Sequence, residues 1–337
     1  MLKIVGDINF SDGYFDLGFG IGSKIANGID PFCHLERKVE DFWIGNFECV
    51  CTTLDVEKPF IITPQNLDNI RLFDLFGVAN NHVMQYGNEA YREMLHYLDR
   101  NNILYVGCNK RRSVRFEHQG KKIGILAFSQ RPDNFTHFPL YWSLPEYKEI
   151  EMEIESLSDC DFNIAYIHWG NEFINYPYND QKQFAHFLID SGIDLIIGMH
   201  PHVMQGFEIY NGKHIFYSLG NFVFYMPWEP TKYSLIINVD FEADKIVTTE
   251  YVKIGTDSLP RVVSSVPKEY SVEYLNRLIE INEENEKYYA KVTQYYKKYR
   301  TVNRRTIIRD FIHMKNRYRI DTVSYTHLRA HETRRHL

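Results

Sequence analysis

The sequence lacks a long hydrophobic run: no apolar stretch reaches the roughly 18 residues that a membrane-spanning helix needs. It opens directly on a strand pattern, MLKIVGD, without a charged leader region or a cleavage site. Cysteine is also sparse. The chain has five cysteines, which are scattered and cannot all pair, and this argues against a disulfide framework (Cys33, Cys49, Cys51, Cys108 and Cys160). Together these absences predict a soluble, cytoplasmic chain.

Cys49 and Cys51 flank Val50, so the chain contains one Cys-x-Cys pattern. Such a pair can bind a metal, but two thiols that alternate along a strand are more often buried core residues. We therefore favour the core interpretation and keep the metal site as the alternative.

The net charge of −6 is unevenly distributed. Between Lys287 and Arg319 the chain carries eleven Lys or Arg residues and one acid, Asp310. This segment predicts contact with an anionic polymer or peripheral contact with a membrane surface, and a merely solvated helix is the alternative. Interleaved tyrosines could stack on bases or dock on the main domain, but nothing else in the chain adds a basic groove, so nucleic acid is disfavoured.

Short strand-like runs alternate with helical patterns through the first two thirds of the chain, which is typical of an α/β fold. The predicted strands cover residues 2–5, 42–45, 75–79, 103–106, 122–127, 163–167, 194–197 and 214–217. Helices are predicted over 88–101 and 180–191. Two alternating runs between 232 and 252 predict a β-hairpin that would extend a second sheet.

The pattern divides the chain into three parts. Residues 1–260 form a main α/β domain, and residues 265–321 form a basic helical extension. The segment VSYTHLRAHET resembles the translation of a sequencing-library adaptor, so residues 322–337 are predicted to be a non-native tail outside the fold.

Polar side chains follow five of the apolar runs, where each run ends. They are Asp7, Glu48, Asn81 with His82, His168, and His200 with His202. Because the carboxyl ends of parallel strands meet at one edge of a sheet, these side chains are expected to lie close together. The sequence therefore predicts a metal site at that edge.

The donor types add up to a site for two cations, which needs a carboxylate that bridges them. Glu48 is the predicted bridge, with Asn46 as the alternative for that contact. Asp7 would hold one cation, with Asn9 as a weak ligand, while Asn81, His168, His200 and His202 complete the two coordination shells. A set of imidazole, carboxylate and amide donors suits two divalent ions of Mn, Fe or Zn.

The motifs GDIN, GNFE, ANNHVMQYG, HWGNEF, DLIIGMHPHVMQGFE and IFYSLGNFVF resemble, in order, those of the CapA-type family of bacterial capsule and poly-γ-glutamate synthesis proteins. That family is similar in fold to the calcineurin-like metallophosphoesterases. The resemblance implies a four-layer α/β/β/α sandwich of the metallophosphoesterase type. It places Asp7, Glu48, Asn81, His168, His200 and His202 at metal-binding positions and His82 at that of the general acid.

Further residues of these motifs are predicted to orient ligands or contact substrate. Glu172, Glu208 and Asn221 join Asn9 in this group, because carboxylates and amides commonly hold ligating imidazoles. For Glu208 an ordinary position on a strand surface is an equal alternative.

The resulting functional prediction is a metal-dependent hydrolase of phosphoesters, or of amides, in capsule, poly-γ-glutamate or other surface polymer synthesis. Its substrate would be a phosphoester or an anionic polymer, and other capsule-synthesis enzymes would be its partners. The alternative is a non-catalytic scaffold in such a complex. It stays open because Asn9 stands where the broader phosphoesterase pattern has a histidine.

Overall fold

The computed structural model describes residues 1–310 except 15, 55–57, 69, 71 and 244–245. The strands of this part are β1 (Leu2–Ile8), β2 (Phe42–Phe47), β3 (Val50–Cys51), β4 (Ile61–Ile62), β5 (Leu75–Gly77), β6 (Leu104–Val106), β7 (Ser113–His118), β8 (Lys121–Ser129), β9 (Phe162–His168), β10 (Leu195–Met199), β11 (Phe207–Tyr210), β12 (Lys213–Phe216), β13 (Asn221–Val223), β14 (Tyr233–Val239), β15 (Val247–Ile254) and β16 (Pro260–Val263). Its α-helices are α1 (Ile21–Ala26), α2 (Pro64–Leu67), α3 (Gly87–Arg100), α4 (Tyr147–Ser156), α5 (Asn179–Asp190), α6 (Val272–Ile279) and α7 (Asn285–Asp310). Short 3-10 helices cover Glu229–Lys232 and Lys268–Tyr270.

Two large sheets dominate the described residues. The first has the order β16-β15-β14-β1-β2-β5-β6, and β13 also pairs with β1. The second has the order β11-β12-β10-β9-β8-β7, and β3 and β4 form a small separate ladder. The strands β1, β2, β5 and β6 pair in parallel, as do β8, β9, β10 and β12, so each sheet collects several carboxyl ends at one edge.

Each predicted strand coincides with a strand of the structure, and the two predicted helices correspond to α3 and α5. The hairpin of β14 and β15 is also present, but the expectation that it extends a second sheet is wrong. Strand β14 pairs antiparallel with β1, so the hairpin widens the sheet that carries Asp7. All seven residues of β14 are buried, because this position beside β1 covers both of its faces.

Three apolar cores separate four layers. Between the sheets, Ile4 and Ile44 of the first sheet lie in one cluster with Ile125, Ile164 and Ile197 of the second. The outer face of the first sheet is covered by α3, and the outer face of the second by α4 and α5. Burial of this apolar area is the main stabilising term of such a fold. The predicted α/β/β/α sandwich is thereby confirmed.

Helices α6 and α7 form the described part of the C-terminal extension. Tyr288, Val292 and Tyr299 of α7 are buried against the main domain. The cations beyond residue 310 and the predicted non-native tail, residues 322–337, lie outside the described residues. Among the helices that are described, none combines the length and the apolar character needed to cross a membrane.

Candidate metal centre

The predicted ligands meet at the carboxyl edge of the two sheets. Asp7 is near the end of β1 and His168 ends β9, while the other donors lie within four residues of the ends of β2, β5 and β10. All are nearly inaccessible, with exposed fractions of 0–3 % for Asp7, Glu48, Asn81, His168, His200 and His202. The structure thus brings together side chains that are up to 195 positions apart in the sequence, as the strand-end pattern predicts.

Glu48 lies between two groups of donors. One group combines Glu48 with His168 and His200, and the other combines it with Asp7 and His202. In each group, one ligand atom per residue lies within 4.8 Å of the others. One Glu48 oxygen, Oε1, is 3.8 Å from the Nε2 atoms of both His168 and His202. This central position is the one that a bridging carboxylate requires.

Both carboxylate oxygens of Glu48 are buried without a hydrogen-bond partner in the described residues, and so are both ring nitrogens of His200. Burial, followed by the negative charge of Asp7, raises the pKa of Glu48 well above its usual range. Buried polar atoms are normally paired, because an unpaired one is costly to desolvate. The orphaned oxygen and nitrogen atoms are hard and borderline donors that fit divalent cations.

Asp7 is an anion held in place by several donors. Its Oδ1 accepts from Asn46 Nδ2 at 2.8 Å, and its Oδ2 accepts from the His200 amide at 3.1 Å. Burial alone would raise the pKa of Asp7, but the hydrogen bond and charge of His202 lower it to about 2. The carboxylate is therefore ionised and oriented before any cation arrives.

The three imidazoles differ in the direction in which their pKa is shifted. Burial lowers the pKa of His168 to about 3 and that of His200 well below its usual value, so both rings are neutral, as metal ligands must be. For His202 burial also lowers the pKa, but the hydrogen bond to Asp7 outweighs it and the pKa is raised. Asn221 Oδ1 lies 2.9 Å from His202 Nδ1 and fixes that ring, as expected of an orienting amide.

The loop after β10 is strained. His200 and His202 have φ values of 97° and 57°, in a region that residues with a Cβ rarely occupy. Outliers of this kind persist where the surroundings enforce them and are frequent at functional sites. The bond from the His200 amide to Asp7 is one such constraint.

Close backbone packing sets β13 beside Asp7. A Cβ at Gly6 would lie 2.0 Å from the carbonyl oxygen of Gly220, so only glycine is tolerated there. Gly220 itself has a φ of +76°, and its carbonyl accepts from the Asp7 amide at 3.1 Å. The close contact between the backbones of Gly6 and Gly220 places Asn221 of β13 level with Asp7 of β1.

Three asparagines support the ligands. Asn81 Oδ1 lies 2.8 Å from Nε2 of the candidate ligand His168. Asn46 is not a bridge, which corrects the alternative assignment. Its amide donates to Asp7 and its oxygen accepts from Asn80 Nδ2 at 3.0 Å, so both ends are used for positioning. Asn80 was missed by the sequence reasoning, although it is the second residue of the ANNHVMQYG motif.

His82 lies at the rim of this cluster and is 5 % exposed. Its ring stacks on Phe60 with a centroid distance of 4.2 Å. Its Nδ1 is 3.0 Å from Gln85 Oε1, and Gln85 Nε2 donates to the Tyr14 hydroxyl at 2.8 Å. The second bond fixes the amide so that its oxygen faces the imidazole. Gln85 therefore positions His82, and the sequence reasoning did not identify it.

The remaining predicted residues serve other contacts. The Asn9 side-chain oxygen accepts from the amide and hydroxyl of Ser11, so its structural role replaces the expected weak ligation. Glu208 is corrected to the strand-surface alternative, because its position on β11 gives it His186 at 2.7 Å and the Tyr217 hydroxyl at 2.6 Å as partners. Glu172 accepts from the Tyr296 hydroxyl at 2.8 Å rather than from a ligating imidazole.

The thiols of Cys49 and Cys51 are buried in the first core, where burial raises the pKa of both. Neither belongs to the donor groups among the described residues. The core interpretation of the Cys-x-Cys pattern is the one that the structure supports.

Helix α7 forms an aromatic wall next to the cluster. Tyr299 stacks on Phe173 with a centroid distance of 3.9 Å, and Tyr296 meets the same ring edge-on at 5.2 Å. Phe173 is in turn 6.3 Å from the His202 ring. The interleaved tyrosines of the basic segment thus dock on the main domain, and one aromatic ring separates the helix from a ligand.

The described residues form a four-layer α/β/β/α sandwich with a central carboxylate and clustered imidazoles at its strand ends. Residues 2–226 match the model of the family described as bacterial capsule synthesis protein PGA_cap. The chain belongs to this family. Helix α7 lies beyond the matched residues.

Two curated relatives carry related names. The chain is 30% identical over 234 residues to the PGA biosynthesis protein CapA of Bacillus subtilis (strain 168), covering 64% of this chain and 61% of that protein. It is 26% identical over 212 residues to the capsule biosynthesis protein CapA of Bacillus anthracis, covering 57% and 50%. The match thus spans between half and two thirds of these relatives. Among solved structures, a novel phosphatase of Mycoplasma pneumoniae is similar with a TM-score of 0.47 and 14% identity, covering 77% of this chain and 92% of that one.

Proposed function

We propose that this protein is a hydrolase that uses two divalent cations to cleave a phosphoester during the synthesis or trimming of a capsule or poly-γ-glutamate-type surface polymer. The observation that carries the proposal is Glu48, a fully buried carboxylate without a hydrogen-bond partner among the described residues. It lies between His168 with His200 on one side and Asp7 with His202 on the other. Family membership supports the biological setting, and Mn, Fe and Zn are the candidate ions.

Bound cations would activate water and neutralise the charge that develops on the phosphoryl oxygens. Glu48 would contact both, Asn81, His168 and His200 would hold one, and Asp7 and His202 would hold the other. The neutral state of His168 and His200 suits this role, because no proton has to leave either ring first.

His82 is the proposed general acid. It belongs to neither donor group among the described residues, and the Gln85 side-chain oxygen orients its ring from the Nδ1 side. An imidazole held in this way would give a proton to the departing oxygen. The stack on Phe60 restricts the ring to one plane. A positioned acid of this kind contributes typically 10²–10⁴-fold to a rate.

The test is hydrolysis of a generic phosphomonoester and a generic phosphodiester by purified protein with Mn, Fe or Zn. Activity that is lost in His200→Ala and strongly reduced in His82→Ala supports the proposal. A matched control is His186→Ala, since His186 pairs with Glu208 away from the cluster. Wild-type protein that holds cations but cleaves neither substrate class would favour the scaffold function instead.

The scaffold alternative has one observation in its favour. Asn9 replaces an imidazole of the broader phosphoesterase pattern, and its oxygen is occupied by Ser11. One cation would then have fewer protein ligands, and the protein would act through its capsule-synthesis partners.

Peripheral contact with an anionic membrane surface or polymer is proposed for the outer side of α7. The tyrosine side of this helix is docked, whereas Lys287, Lys297, Lys298, Arg304 and Arg305 are exposed. A cluster of cations on one exposed helix side attracts anionic surfaces. A cytoplasmic location, predicted from the scattered cysteines, is part of the same proposal.

A further inference from the structure

Arg131 is the second residue of the loop that follows β8, beside the candidate metal centre. In the second sheet, Ser129 at the end of β8 is level with His168 at the end of β9. The next residue, Gln130, donates its amide to the His168 carbonyl at 2.9 Å. Arg131 is therefore held at the same edge as the ligands.

The backbone of Arg131 is fixed on both sides. The Ser129 hydroxyl accepts from its amide and donates to its carbonyl, each at 3.0 Å. Farther along, Asp133 accepts from the amides of Phe135 and Thr136 at 2.7 Å and from the Tyr141 hydroxyl at 3.0 Å. The loop is thus organised by its own hydrogen bonds, which lowers the entropic cost of binding a ligand.

The guanidinium of Arg131 is only weakly engaged. Its Nη1 donates to Asn171 Oδ1 at 3.4 Å, and no carboxylate in the described part of the chain pairs with it. Asp133, the acid of its own loop, is committed to the contacts above. By contrast, Arg111 and Arg112 pair with Asp99 and Glu149. A half-buried guanidinium without an acidic partner is suited to bind an oxyanion through two parallel hydrogen bonds.

The same loop reaches both ends of the candidate site. At one end, the bond from the Gln130 amide to the His168 carbonyl ties the loop to a candidate ligand. At the other end, the Phe135 ring is 6.2 Å from that of His82. The loop therefore spans from the ligands to the proposed general acid.

We infer that Arg131 is a substrate-binding residue that holds an anionic group, a phosphate or a carboxylate, next to the cations through its unpaired guanidinium. The inference rests on the proposed function, because it assigns the substrate class of the same site. The substrate would then carry an anionic group that binds Arg131, while a second group of the same molecule binds at the cations.

The experiment measures binding of inorganic phosphate and of glutarate, a dicarboxylate, to cation-loaded protein by isothermal titration calorimetry. Arg131→Met removes the charge, and Arg131→Lys keeps the charge without the forked donors. Arg112→Met is the matched control, because Arg112 pairs with Glu149 instead. Cation content is measured in every variant, so that loss of the centre is distinguished from loss of anion binding.

The expected result is a loss of at least tenfold in affinity for one of the anions in Arg131→Met, a smaller loss in Arg131→Lys, and none in Arg112→Met. The anion that is affected identifies the substrate group as phosphoryl or carboxylate. Unchanged affinity in Arg131→Met with intact cation content, or no anion binding by the loaded wild type, overturns the inference. Absence of cations from the wild type would instead be a failure of the proposed function.

Discussion

The two buried carboxylates of the site should respond to neutral isosteric substitution with opposite signs in protein freed of metal. Asp7 accepts from Asn46 and from the His200 amide, whereas neither oxygen of Glu48 has a hydrogen-bond partner in the described residues. Asp7→Asn removes a stabilised anion, while Glu48→Gln removes a carboxyl group whose ionised form the fold disfavours. In both variants cation binding should be lost.

The magnitudes follow from the same contacts. The pKa of Asp7 falls from 3.8 to about 2, and at about 1.4 kcal/mol per unit its ionised form contributes roughly 2 kcal/mol to the free energy of unfolding. This contribution is complete above pH 3.8 and is lost as the pH falls through about 2. The pKa of Glu48 is raised, so the metal-free protein loses stability as the pH rises above 4.5. Glu48→Gln removes this pH-dependent loss of stability, because an amide does not ionise.

The assay is urea denaturation at pH 8 in excess chelator, repeated with added Mn or Zn. We expect Asp7→Asn to be less stable and Glu48→Gln to be more stable than wild type in chelator, and only the wild type to gain stability from the ion. Destabilisation of similar size in both variants under chelator would refute the reasoning, because it would mean that Glu48 already makes stabilising contacts without a cation.

Three further predictions concern the rim and the helix. His82→Ala should keep its cations and lose roughly 10²–10⁴-fold in turnover, and Gln85→Leu should lose less; cation loss in His82→Ala would make His82 a ligand. Tyr299→Ala, which removes the stack on Phe173, should lower the melting temperature by several degrees and raise KM, and an unchanged melting curve would contradict the docking of α7. Binding to anionic vesicles should be measurable at low salt and vanish above about 0.15 M, where the screening length is about 8 Å, and a chain ending at Glu286 should not bind.

The element pattern could be predicted from sequence because the strands of a two-sided sheet are apolar throughout, as in β10, which is buried at all five residues. The strand that pairs with β14 could not be predicted in the same way. Strand β14 has an alternating sequence that fits either sheet, and its pairing with β1 is decided by packing on both faces.

The clustering of the candidate ligands was predictable, because strand-end geometry gathers these side chains whatever their separation in the chain. By contrast, the roles that depend on one side-chain rotamer could not be predicted. Asn46, Asn80 and Gln85 act through amide orientations that the sequence does not encode locally. Glu208 and Glu172 share motifs with the ligands, but their side chains reach His186 and Tyr296.

The docking of α7 was one of two alternatives in the sequence, because a helix with tyrosines on one side and cations on the other suits either base stacking or packing. Tyr288, Tyr296 and Tyr299 contact the main domain, so the tyrosine side of the helix packs on the protein.

The most direct test of the central claim, a carboxylate-bridged pair of cations, is the number of divalent ions bound per chain, measured by elemental analysis of protein purified without chelator. Wild type should hold two ions of Mn, Fe or Zn, His200→Ala and His202→Ala should each hold at most one, and Glu48→Gln should hold close to none. One ion or fewer in the wild type, or two ions retained in Glu48→Gln, would contradict the account.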